Sequence, residues 1–171
     1  MTARLALAFL AALLCVTAGA AGKVDASAAT TLAPILRATD WLNGRPTAES
    51  LAGKVVLVDV FTFDCINCKN VTPNLRKLHA EGARDLAIVG VHAPETPYER
   101  VRAHVVSAVA DQGIDWPVTI DNEMRVWNAY GVEYWPTELI FDKHGRLRKT
   151  VIGDSQDDAV DSTVEALRKE T

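Results

Sequence analysis

The apolar positions of this chain fall into two kinds of run. VVLVDVF, residues 55–61, and LAIVGVH, residues 86–92, are continuous and rich in β-branched side chains. They have strand length and no polar alternation, the pattern of strands buried on both faces. Between and after them the spacing changes. Val71, Leu75 and Leu78 recur at helical intervals from Ile66 to about His79, and Val101, Val105, Ala108 and Val109 do so in the stretch closed by Gly113. WPVTID, residues 116–121, predicts a short strand, and NEMRVWNAYG a short helix closed by Gly131. TELIFDKHGRLRKTVIG predicts two strands joined by a turn at Asp142 to Gly145. Val160, Val164 and Leu167 mark a final amphipathic helix between Asp154 and Glu170. Asn43-Gly44 and Gly53 read as turns ahead of the first long strand. Strands alternating with helices and ending in a hairpin predict an α/β fold in three layers, α/β/α, around a central mixed sheet.

The beginning of the chain follows another logic. MTARLALAFLAALLCVTAGA has a positive start at Arg4, an apolar run from Leu5 to Val16 and small residues at 18–20. That is the build of an export signal, so residues 1–20 are expected to be a signal peptide, with an uncleaved membrane anchor as the alternative. Residues 21–33, small and polar, read as a flexible leader, and 34–171 as one folded domain. A net charge of −4 and 49% hydrophobic residues suit an ordinary globular domain and give no electrostatic reason to expect a nucleic-acid partner.

If the signal is removed, Cys15 leaves with it and only Cys65 and Cys68 remain. A bridge across two intervening residues closes too short a loop to stabilise much, so a structural staple explains them poorly. They sit where a buried strand hands over to a helix. A helix start presents unpaired N–H groups and the positive end of the dipole, which stabilise a thiolate. Cys65 is placed to attack and Cys68, one turn on, to resolve the mixed disulfide. A zinc site needs four ligands, and His79, His92, His104 and His144 have no spacing that completes one; each reads as a surface or interface histidine. No resident metal is expected, although two thiolates bind copper readily. Asp59 interrupts an apolar strand six residues before Cys65, where a buried carboxyl has a raised proton affinity and is a candidate acceptor for the proton of Cys68. Pro136, just before a predicted strand, suits a strand start or a cis turn. Trp41, Trp116 and Trp127 read as core.

With these pieces in order, LAGKVVLVDVFTFDCINCKNVTPNL, VGVHAPE and VTIDNEMRVWNAYGVEYWPTELIFDKHGRL, the chain resembles the thioredoxin superfamily in its TlpA/ResA-like branch. Within it, it is similar to the thioredoxin-like domain of DipZ-type membrane proteins. The resemblance runs from about Leu42 to Gly153. It implies Cys65 as nucleophile, Cys68 as resolving thiol and a reversible Cys65–Cys68 disulfide. It further implies Asp59 as the buried acid and Pro136 as a cis-proline facing the disulfide, with Trp135 and Thr137 beside it meeting an incoming peptide. It places an extra segment, about 94–112, between core elements. Asp64 before Cys65 and Ile66-Asn67 between the cysteines depart from thioredoxin itself; Asp64 opposes a thiolate at Cys65, and Lys69 offsets it. The implied activity is exchange of disulfides with exported proteins, as a reductase in the periplasm, without a cofactor. A separate membrane or soluble protein is expected to supply electrons, since the residues given contain no membrane carrier. A peroxiredoxin-like peroxidase, for which Thr62 stands three residues before Cys65, and a copper-binding dithiol module remain the alternatives.

Overall fold

The computed structural model describes residues 30–82 and 84–170. The stretch read as a signal peptide, and with it Cys15, lies outside the described residues, as does most of the leader. The end of that leader is built into the domain: Thr31 bridges Arg146, and helix α1 (Ala33–Arg37) begins with a proline in its first turn.

Among the described residues six strands form one sheet. They are β1 (Trp41–Leu42), β2 (Val55–Phe61), β3 (Leu86–His92), β4 (Val118–Ile120), β5 (Thr137–Phe141) and β6 (Leu147–Ile152), in the order β1-β4-β3-β2-β5-β6. β2 runs parallel to β3 and β3 to β4, whereas β5 pairs antiparallel to β2 and β6 to β5. The sheet is therefore mixed, as expected. β2 and β3 begin and end at the boundaries that the apolar runs predict, and every residue of β2 is buried.

Among the described residues five further helices follow α1: α2 (Ala48–Leu51), α3 (Ile66–Gly82), α4 (Arg102–Asp111), α5 (Arg125–Tyr130) and α6 (Asp157–Lys169). Strand alternation divides the core. Val55, Leu57 and Phe61 of β2 face one cluster with Val71, Leu75 and Leu78 of α3, Val105 and Val109 of α4, and Val160, Val164 and Leu167 of α6. Val56, Val58 and Val60 face the other, with Ile35 of α1, Leu51 of α2, and Val126 and Trp127 of α5. The fold is the three-layer α/β/α arrangement that the sequence predicts. The segment from β3 to β4 carries α4, between core elements.

Three short elements escaped the sequence pattern, α1, β1 and α2. β1 lies in a turn-rich stretch and exists because it pairs with β4, through Trp41 opposite Thr119 and Leu42 opposite Val118. α2 starts at a capping box in which the Thr47 side chain and backbone exchange hydrogen bonds with Ser50. Asn43 and Gly44 both have positive φ, as a tight turn there requires. His92 corrects the surface assignment made from its position at a strand end. It is wholly buried, stacked on Phe63 with ring centroids 5.4 Å apart.

Candidate active site

β2 delivers the chain to the site and α3 carries it away. Phe61 ends the strand, and after a turn the Cys65 N–H donates to the Thr62 carbonyl at 3.4 Å. The Cys65 carbonyl accepts from the Lys69 N–H at 3.1 Å, so Cys65 stands at the first turn of α3. The Cys68 N–H donates to Cys65 Sγ at 3.4 Å. This contact aims one of the helix's free N–H groups at the Cys65 sulfur, where negative charge is stabilised. Both thiols are free in this structure.

The two sulfurs have different surroundings. Cys65 is half-buried, while Cys68 is 2% exposed. Burial pushes the Cys68 thiol far up, and the hydrogen bond with Cys65 and the negative charge of Asp59 add to this. Cys68 therefore stays protonated until a base takes its proton, whereas Cys65 is open to a partner. Further along α3 the Thr72 hydroxyl donates to the Cys68 carbonyl, and Pro73 lies inside the helix, where it has no N–H to return to the preceding turn.

Asp59 lies on the same face of β2 as Leu57 and Phe61, beneath α3 and α6. It is 3% exposed, its Oδ1 has no hydrogen-bond partner, and burial raises its pKa to about 7. A solvent-facing Asp59 at a sheet edge is thereby excluded, since β2 is an interior strand.

The Trp135–Pro136 peptide bond is cis. Trp135 packs against the cluster that holds Cys65 and Cys68; its Nε1–H donates to the Ala93 carbonyl at 3.0 Å, and its ring lies 4.3 Å from that of Trp127. The Pro136 carbonyl accepts from the Gly153 N–H. The Thr137 side chain is buried and donates to the Tyr134 carbonyl at 2.7 Å, so its hydroxyl does not face outward. Around the cysteine end the large exposed apolar residues include Ile66, Tyr98 and Tyr134. Ile66 follows Cys65, Tyr134 precedes Trp135, and Tyr98 meets Phe63 edge-on. Asp64 and Lys69 form an exposed ion pair at 3.4 Å.

Two acids, Glu99 and Glu138, were not anticipated. Thr62 is fully buried and donates to Glu99, which also accepts from the N–H groups of Glu95 and Thr96. Burial works to raise Glu99, but these hydrogen bonds outweigh it and hold the carboxyl below its ordinary range. His92, beside Thr62, is pushed down to about 4, chiefly by burial, and is neutral. The second is Glu138 of β5, directly opposite Asp59 and 2% exposed. An acid inside the strand run TELIF is the same signal that marked Asp59.

The Redoxin family model matches residues 32–167. The chain belongs to the Redoxin family. This redoxin is 36% identical over 134 residues to Protein DipZ of Mycobacterium bovis, an alignment covering 75% of this chain and 19% of that protein. The chain thus spans about a fifth of the length of that relative. It is 29% identical over 132 residues to the thiol-disulfide oxidoreductase YkuV of Bacillus subtilis, covering 77% of this chain and 89% of the other. Among solved structures it is similar to a thioredoxin-like protein in its oxidized form, with a TM-score of 0.73, 27% identity, and coverage of 84% of this chain and 98% of that one. The fold of this redoxin is thioredoxin-like, in the TlpA/ResA-like branch.

Proposed function

We propose that this redoxin is an exported thiol–disulfide oxidoreductase that reduces disulfides in other exported proteins through Cys65 and Cys68. The observation that carries the reading is the contrast between the two sulfurs: Cys65 reachable at a helix start, Cys68 buried and within the influence of Asp59, a buried carboxyl with one oxygen lacking a partner. The relatives named thiol-disulfide oxidoreductase support it.

The Cys65 thiolate attacks one sulfur of a partner disulfide, which breaks that S–S bond, frees the second partner sulfur and leaves a mixed disulfide. Asp59 takes the proton of Cys68, whose sulfur then attacks Cys65 Sγ. The bond between Cys65 and the partner breaks, the partner sulfur leaves as a thiolate, and the Cys65–Cys68 disulfide holds the oxidation. Two electrons pass from the cysteine pair to the partner, and no cofactor enters. Trp135, cis-Pro136 and the backbone at Thr137 form the surface on which an extended partner lies. The exposed side chains of Ile66, Tyr98 and Tyr134 give it an apolar collar suited to a polypeptide. A separate electron donor restores the dithiol.

The peroxidase reading is weaker, because the Thr62 hydroxyl is buried and given to Glu99 rather than left to hold a peroxide. The test is insulin reduction by the protein lacking residues 1–20, together with trapping by Cys68→Ala in an extract of the exported compartment. Reduction by the parent protein, its loss in Cys65→Ala and mixed disulfides on the Cys68→Ala protein are expected. An inactive parent and an empty trap would overturn the reading.

A further inference from the structure

Asp59 and Glu138 are register partners across β2 and β5. Directly opposed residues of an antiparallel pair point to the same face, with Cβ atoms about 4.5–5.5 Å apart. Both carboxyls thus occupy the layer between the sheet and α3 and α6, sealed from water. Asp59 Oδ1 and Glu138 Oε2 both lack a hydrogen-bond partner. The neighbouring register positions supply nothing to pair with them. Gly90 of β3 flanks Asp59 and Val151 of β6 flanks Glu138. Gly90 has no room for a side chain either, since a Cβ there would meet Val118 Cγ2 at 2.9 Å.

The titratable groups bearing on the pair from the packed helices are Cys68 of α3, which feels Asp59, and Asp157 in the first turn of α6, whose charge bears on Glu138 and which itself feels Lys77 of α3. Cys68 and Asp157 are both acids, so neither offsets a second negative charge on the pair. Two carboxyls so close in a medium of low dielectric do not both ionise readily, and their protons come off in two steps that belong to the pair.

We propose that Asp59 and Glu138 form a single proton-sharing pair serving Cys68, with Glu138 the positioning residue that decides whether Asp59 is the carboxylate. This rests on the exchange reading above. As pH rises through neutrality the pair gives up its first proton from Asp59 and keeps the second on Glu138. When Cys68 attacks the mixed disulfide, its proton moves to Asp59, and the pair holds two until Cys68 is reduced again and reclaims one. Once Glu138 also ionises, its charge makes Asp59 a stronger base, because Asp59 then lies beside an unscreened negative neighbour. Burial raises both carboxyls above their ordinary range, and the charges of Asp59 and Asp157 raise Glu138 further. Of the two, Asp59 is the one whose charge bears on Cys68, which suits it to the role of acceptor.

The test is a carboxyl carbon-13 NMR titration of Asp59 in the reduced protein, paired with the rate of mixed-disulfide resolution between pH 5 and 10. Wild type is expected to show two inflections at Asp59, and Glu138→Gln a single one at the lower pH. Resolution in Glu138→Gln should stay within twofold of wild type at pH 6 and fall at least about threefold behind it at pH 9, with Glu138→Asp restoring both signatures. A purely structural Glu138 would leave the profile unmoved. One inflection at the same pH in wild type and Glu138→Gln overturns the pair while leaving the exchange reading intact. A wild type that reduces no disulfide overturns the exchange reading, and the titration still tests the sharing.

Discussion

The two ends of β5 treat a buried acid in opposite ways. Just past its last residue, Asp142 is 1% exposed and fully supplied. It accepts from the N–H groups of His144 and Arg146, from Arg146 Nε at 2.9 Å and from Arg148 Nη1 at 3.2 Å. Burial works against its charge, but these donors outweigh it and hold the carboxyl down to about 2. Near the other end, Glu138 and its neighbour Asp59 are as deeply buried, each with an oxygen lacking a partner, and both are pushed up to about 8 and about 7. A satisfied acid closes a turn; a starved one keeps a proton within reach of neutral pH. Burial alone does not tell the two apart, and the supply of donors does.

The largest effect should come from the starved end. Asp59→Asn is expected to slow resolution of the mixed disulfide by about 100-fold, the usual scale for loss of a general base. Initial attack by Cys65 should remain within a few-fold, as single-turnover kinetics with a labelled disulfide would report. An unchanged resolution rate would remove Asp59 from the reaction.

Asp142→Asn inverts that result. Exchange should be nearly unaffected, while urea denaturation should show a loss of about 1–3 kcal/mol, because donors assembled for a carboxylate lose their acceptor. The low end is expected, since Arg146 and Arg148 are partly solvated.

Stability against pH separates the ends by sign. The raised pKa values of Asp59 and Glu138 mean that the folded state keeps protons the unfolded chain releases. Their contribution is whole below about pH 4 and is lost as pH rises through about 7 and 8. The double variant Asp59→Asn, Glu138→Gln should therefore gain on wild type with rising pH, by at most roughly 5 kcal/mol for each group. Asp142, with its depressed value, contributes above about pH 4 and fades as pH falls toward about 2. Denaturation midpoints across pH 3–9 would show both slopes. A flat difference between the double variant and wild type would mean that water reaches the pair.

The smallest effect belongs to the exposed pair Asp64–Lys69. Lys69→Ala should change stability by less than about 1 kcal/mol and lose even that in high salt, as salt-dependent denaturation would show.

Much of this molecule was legible before its folding was considered. β2 and β3 declared themselves because strands buried on both faces must be apolar throughout, and α3 because its buried face recurs every three or four residues. The CxxC pair at the junction of β2 and α3 followed from local order, and so did the anomaly of Asp59. The short elements were not legible, because β1 is held by β4 and not by its own propensity. His92 misled for a related reason: a strand end faces solvent unless something distant covers it, and here Phe61 and Phe63 close over the ring.

What the amino-acid order determined alone was whatever depends on neighbours along the chain: periodicity, turns, and two thiols one helical turn apart. Tertiary structure decided whatever depends on neighbours in space. It made Asp142 a satisfied anchor and Asp59 a starved acid, and it set Glu138 opposite Asp59 by strand register. The physical reason is that a carboxyl's behaviour is set by the donors, charges and water within a few ångströms of it, and folding assembles most of these from remote segments.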